Sequence, residues 1–215
     1  MANLASPAVA HPTTTATDRP HTSSVTMAAV MVIAPLLLVT GRGLMLVPSA
    51  RGFTTWWTVT HVMFLAGTVL MIPAALALSR LARGHAGPVL RDLGVAVVFV
   101  GALALAAQFV VDLTVSVLAD GDPQAGGALF DQLQAVALID LTLYVVGPAL
   151  LFVGLIVQAV ALARVRAVPR WAVIALVAGP SLDGIGRATG QAVVEVAGLA
   201  LIAIAMAASA MWGAD

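Results

Sequence analysis

Nine side chains carry most of the chemistry open to this chain: Arg42, His61, Gln108, Asp112, Asp140, Tyr144, Asp183, Arg187 and Glu195. All sit in or beside long apolar runs, where a charge turned toward lipid costs at least about 2.5 kcal/mol. Such groups face a bundle interior or a wet cavity, pair with one another, or mark an ion, proton or ligand site. Counted together, Arg42 and Arg187 give +2, while Asp112, Asp140, Asp183 and Glu195 give −4. In a medium of low dielectric the surplus acids must bind a cation, pair with His61 as imidazolium, or hold protons. Asp112 and Asp140 lie deepest, so they are the expected key acids, with His61 and Arg42 as partners and Gln108 and Tyr144 beside them.

A plainer role stands next to each of these. Arg42 and Glu195 lie near helix ends, where long side chains snorkel to the head groups and the helix dipole favours a carboxylate in the first turn. His61 can serve as an interhelical hydrogen bonder. Asp183, among Gly184, Gly186 and Gly190, fits a turn, and Tyr144 fits simple packing.

The elements that must position these residues follow from composition. The chain has 215 residues, 61% apolar and 9% charged, with a mean hydropathy of +1.05. A soluble domain carries about 25% charged residues, so most of this chain has lipid as its solvent. The reading is all-α: a polytopic transmembrane bundle of about six helices, with both termini cytoplasmic. A spanning helix needs about 20 apolar residues. Runs at 27–47, 56–81, 93–118 and 192–212 meet this, and Trp56 and Trp57 supply an interfacial anchor. The run 129–163 is too long for one perpendicular span, which implies tilt or an interfacial turn before Asp140. Segment 171–190 is apolar only to Gly179 and then meets Pro180. It crosses if 181–186 stays helical or extended inside the protein. Residues 1–24, rich in Thr, Pro, Ala and Ser, read as a disordered cytoplasmic tail before a bundle spanning 25–215.

Arginine placement orients the bundle. Arg80, Arg83 and Arg91 mark one loop and Arg164, Arg166 and Arg170 another, so both are expected inside; the loop holding Asp120 and Asp122 is expected outside. Arg42, His61, Asp112, Asp140, Asp183, Arg187 and Glu195 then fall in the outer half. Helical spacing groups them into faces: Thr54, Thr58, His61, Leu65 and Thr68; Gly94, Gly101, Gln108 and Asp112; Asp140, Tyr144, Gly147, Leu151, Gly154 and Gln158; and Gln191, Glu195, Gly198, Ala205 and Ser209. Small residues on these faces let helices approach closely.

Several function classes drop out. With no cysteine there are no disulfides, thiolate nucleophiles or iron–sulfur clusters. Zero formal net charge leaves no basic field for nucleic acid. The glycines at 184–190 lack the strand–helix context of a nucleotide loop. His61 and His85 fall near opposite faces and cannot share a haem, and no metal-ligand spacing is legible. No cofactor and no metal site are expected. The partners expected are membrane lipids and a small-molecule or lipid substrate.

The stretch Leu36-Leu-Leu-Val-Thr-Gly-Arg42, the Trp56-Trp57 pair, Thr60-His61-Val-Met-Phe-Leu-Ala-Gly67 and Pro73-Ala-Ala-Leu-Ala-Leu78 resembles small six-helix membrane proteins of actinobacteria whose function is unknown. The resemblance covers helices 1 to 3. It implies the six-helix bundle and a bacterial cytoplasmic membrane, and it assigns no chemistry. The leading expectation is a small carrier or sensor with an outward-facing polar pocket for a ligand, ion or proton. The alternatives are an intramembrane enzyme that acts on a lipid or isoprenoid by carboxylic-acid catalysis, and a structural or assembly subunit.

Overall fold

The computed structural model describes residues 21–48, 52–82 and 88–212, with the side chains of 21–24 excepted. Arg51, Arg83, His85 and the first twenty residues of the expected tail lie outside that range. The described chain is helical throughout, in seven elements: α1 (His21–Leu44), α2 (Thr55–Leu81), α3 (Pro88–Ala119), α4 (Pro123–Gln134), α5 (Ala137–Val165), α6 (Arg170–Thr189) and α7 (Ala192–Trp212). Helix α1 starts at His21 and so takes in the last four residues of the expected tail.

Local chemistry sets most of the boundaries. Thr54 caps α2, its hydroxyl accepting from the Trp57 amide at 3.4 Å. Asp122 caps α4, its carboxylate accepting from the Gln124 amide at 2.8 Å, with Pro123 in the first turn. Helix α5 ends on Arg166 and α6 on Gly190, both left-handed; Gly190, at φ 68°, has no Cβ to resist the sharp turn into α7.

Five helices, all but α4 and α6, are long and apolar enough to cross a membrane. This makes the protein a multi-pass helical membrane protein. Helix α6 is the sixth long member. Its 20 residues run through Pro180 without a break and rise about 30 Å, the thickness of the hydrocarbon core. The helical alternative for segment 171–190 is therefore the one adopted. The long run 129–163 resolves as two helices with a turn between them: α4 ends at Gln134, the chain bends, and α5 begins just before Asp140.

The six long helices close into a ring. Each packs on its neighbour in sequence, α1 on α2, α2 on α3, α3 on α5, α5 on α6 and α6 on α7, and α7 returns to α1. Glycines set the tight seams. A Cβ on Gly101 or Gly154 would run into the backbone of the facing helix, at Leu151 and Val98 respectively, and a Cβ on Gly94 would meet the Gln158 side chain. Between α6 and α7, Gly179 and Gly198 face each other with backbones in contact. The core is mainly Leu, Ala and Met: Leu78, Leu151, Leu155, Leu176, Met71 and Met206 are fully buried. The faces read from spacing are the inward faces for His61, Thr68, Gly94, Gly101, Asp112, Gly147, Leu151, Gly154, Gln158, Glu195, Gly198, Ala205 and Ser209, all buried. Thr54 and Gln191 are exposed, and Thr58, Leu65, Gln108, Asp140 and Tyr144 are half-buried.

Candidate functional site

Inside one end of the ring lies a cavity of about 230 Å³. It is at the end remote from the helix ends and turn that carry Arg80, Arg91, Arg164, Arg166 and Arg170. Its lining includes Arg42 from α1, His61 from α2, Gln108 and Asp112 from α3, Tyr144 from α5 and Arg187 from α6. Aromatic rings from α2, α3, α4 and α5 supply much of the remaining wall: Trp57, Phe64, Phe109, Phe130 and Phe152.

His61 is held on three sides. Its Nδ1 lies 2.8 Å from the Trp57 carbonyl oxygen, one turn earlier on α2. A carbonyl only accepts, so Nδ1 carries the proton and Nε2 is the free position of the neutral ring. The ring stacks on Trp57, with centroids 4.0 Å apart, and meets Phe64 and Phe109 edge-on. Nε2 then faces Asp112 Oδ2 at 3.7 Å. The other oxygen of Asp112 accepts from the Tyr144 hydroxyl at 2.8 Å, and Gln108 stands one turn away on the same helix. Both His61 and Asp112 are buried. Thr58 and Ser116, whose hydroxyls lie 3.3 Å apart, tie α2 to α3 nearby.

The charged residues divide into two further pairs. Arg42 donates to Glu195 Oε1 at 2.5 Å, joining α1 to α7. Arg187 Nε donates to Asp183 Oδ2 at 2.6 Å within α6. Asp183 is fully buried, and both Arg42 and Glu195 are close enough to interact with it through charge. The four groups form one neutral cluster at the seam of α1, α6 and α7. Asp183 is thus a partner in a helical i,i+4 pair and not a turn former.

Asp140, expected as a key acid, does not line the cavity. It is half-buried, and its carboxyl group makes no hydrogen bond or ion pair among the described residues; Tyr144, four residues on, feels its charge. The cause lies in the backbone. Along α3 and α5 the facing pairs run Gly94 with Gln158, Val98 with Gly154, and Gly101 with Leu151. Continued as a regular helix, that register would set Asp140 against Asp112. Residues Asp140–Val146 instead form a π-helical stretch, with the Gly147 amide bonded to the Thr142 carbonyl. Pro148 follows and has no amide proton for the carbonyl of Tyr144, so the regular pattern fails there. The wider turn carries Asp140 out of register and leaves the longer Tyr144 side chain to reach Asp112.

The fate of the four acids is then plain. Glu195 and Asp183 are neutralised by Arg42 and Arg187, Asp112 faces His61, and Asp140 stands apart. Three polar atoms on cavity-lining residues are buried without a protein partner: Arg42 Nε, Trp57 Nε1 and Gln108 Oε1. The first two are donors and the third is an acceptor. Among the described residues no three of His, Asp and Glu stand so as to hold a metal ion.

Trp57 and Phe130 were not singled out from sequence as site residues. Trp57 stands four residues before His61, the spacing that places one side chain over the next on a helix; that spacing was the available signal. Phe130 has none, because α4 reaches the cavity only through tertiary packing. Phe53, with φ 60°, packs its ring against Gly126 of α4 and lies 5.1 Å from Trp57 and 5.7 Å from Phe130, fixing α4 over the cavity. No protein-family model, curated protein or solved structure matches this chain.

Proposed function

We propose that the protein is a small membrane carrier or sensor whose cavity binds a small ligand together with a proton. One observation carries this reading: His61, Asp112 and Tyr144, from three helices, meet at a cavity on whose walls three buried polar atoms have no protein partner. A buried polar group left unpaired costs about 1–3 kcal/mol, and a structural core would have closed over such a site with apolar side chains. Proton exchange enters through His61 and Asp112, whose facing atoms share one gap between a base and an acid. The Arg-rich segments at the opposite end support an inside position for that end by the positive-inside rule, and with it cytoplasmic termini and an outward-opening cavity. The resemblance of the first three helices to small actinobacterial proteins supports a bacterial cytoplasmic membrane.

The test is proton uptake or release by protein reconstituted in liposomes, compared between the wild type and Asp112→Asn. The wild type exchanges a proton that the variant does not. Identical traces would overturn the reading.

A second reading has its own support. The carboxyl of Asp112 is walled by aromatic rings, and a carboxylic acid so placed can protonate an alkene while the rings stabilise the resulting cation. That favours an intramembrane enzyme acting on an isoprenoid. New product in membranes containing this chain alone would decide for it. A purely structural subunit would instead lose stability on neutralisation of Asp112 and show no proton exchange.

A further inference from the structure

We infer that the cavity takes a neutral six-membered ring bearing a hydroxyl and a second oxygen that accepts, the chemistry of a substituted phenol or of the reduced head group of a quinol. This rests on the binding reading above and deepens it.

Size sets the first limit. A cavity of about 150 Å³ takes benzene. The present one, at about 230 Å³, has room for one ring with two substituents and not for a fused polycycle. The walls suit a flat ring. Phe64 and Phe109 stack on each other at 5.1 Å, and Trp57, Phe130 and Phe152 complete the apolar surface. Aromatic rings pair well in offset-stacked or edge-on geometry.

Charge sets the second limit. An anion would need an unpaired arginine, and both arginines that line the cavity are taken, Arg42 by Glu195 and Arg187 by Asp183. A cation would need an open carboxylate, and the single one at the cavity, Asp112, gives one oxygen to the Tyr144 hydroxyl and has the imidazole edge of His61 against the other. A neutral ligand needs neither.

The polar atoms fix the substituents. His61 Nε2, unprotonated in the neutral ring, and Asp112 Oδ2 are two acceptors facing across 3.7 Å. That is too long for a direct hydrogen bond and calls for a donor between or beside them. A ligand hydroxyl supplies one. Gln108 Oε1, unpartnered and one turn from Asp112, is a further acceptor for it. The lining residues also include two unpartnered donors, Arg42 Nε and Trp57 Nε1, the second on the ring stacked against His61, which ask for an oxygen acceptor. A ring with a hydroxyl and a second oxygen meets both demands; a hydrocarbon meets neither.

Calorimetric titration of the full chain in detergent micelles tests this with 4-methoxyphenol, which has one donor and one acceptor, and 1,4-dimethoxybenzene, which has the same ring and no donor. Heats with protein-free micelles are subtracted. The phenol is expected to bind at least about tenfold tighter, since losing the hydroxyl leaves buried acceptors unpaired. Asp112→Asn should reduce that ratio to below about threefold. His61→Gln should do the same and serves if the first variant fails to fold. Equal affinity of the two rings, or an unchanged ratio in both variants, would overturn the inference. If neither ring binds while Asp112-dependent proton exchange persists in liposomes, this inference fails and the binding reading stands; if both are absent, both fail. A single-ring quinol with an isoprenoid tail separates the sources. Binding tighter than 4-methoxyphenol after correction for micelle partitioning points to a lipid head group, and equal binding points to a free phenol.

Discussion

Replacing Glu195 by Gln removes one charge from the cluster that joins α1, α6 and α7, and its cost follows from burial. The Glu195 side chain is 4% exposed and its partner Arg42 is 23% exposed. Breaking a fully buried ion pair by removing one partner costs about 3–5 kcal/mol, because the remaining charge is left uncompensated. Arg42 keeps some contact with solvent, and Gln still offers it an oxygen, so the expected loss is lower, about 2–3 kcal/mol. Arg42→Gln should cost about the same. The double variant removes both charges and should lose no more than about 3 kcal/mol, well under the sum of the singles, which leaves a coupling of about 2 kcal/mol. Denaturant titration in mixed micelles, followed by circular dichroism, would measure all four proteins. Losses that add within about 0.5 kcal/mol would refute the pairing and with it the claim that Arg42 is unavailable to an anionic ligand. Asp183 shares the cluster, so Asp183→Asn should also be non-additive with Arg42→Gln.

Three further outcomes follow from the geometry. Gly101→Val should cost about 3 kcal/mol or more in the same titration, since its side chain would meet the Leu151 backbone, whereas Gly43→Ala, with nothing within 4 Å, should stay within about 0.5 kcal/mol. Asp140→Asn should leave both stability and liposome proton exchange unchanged, because that carboxyl is unpaired among the described residues and off the cavity. Pro148→Ala restores an amide proton for the Tyr144 carbonyl and lets the π-helical stretch tighten; stability should hold within about 1 kcal/mol while Asp112-dependent proton exchange is lost as Tyr144 turns away.

The apolar runs made the helices legible, because length and hydropathy alone decide what can span a bilayer. The inward faces were legible too: glycines and polar residues at helical spacing mark close seams, and Gly94, Gly101, Gly154 and Gly198 all proved to lie in one. Gathering His61, Asp112 and Tyr144 into one group was within reach for the same reason. Two things were not. Periodicity counts a fixed number of residues per turn, so it carried the stripe of α5 through to Asp140; the π-helical stretch before Pro148 breaks that count. The pairing of Arg42 with Glu195 joins residues 153 apart, and only the closure of α7 onto α1 brings them together. Segment 171–190 looked interrupted because Pro180 and three following glycines are poor helix formers, yet Gly179 and Gly186 are where α7 presses closest, and that packing holds the helix.

The pairing of α6 with α7 bears on how the chain is made. Alone, α6 carries Asp183 and Arg187, and each such charge costs about 2.5–3.5 kcal/mol at the centre of an inserting helix; it falls short of the apolar length and composition that the other five long helices have. Its debt is met only when Gly179 and Gly198 dock and the charges of α6 come against Arg42 and Glu195. Only Gly190 and Gln191 separate the two helices. The two helices are therefore expected to insert together as a hairpin, α6 depending on α7 to follow it.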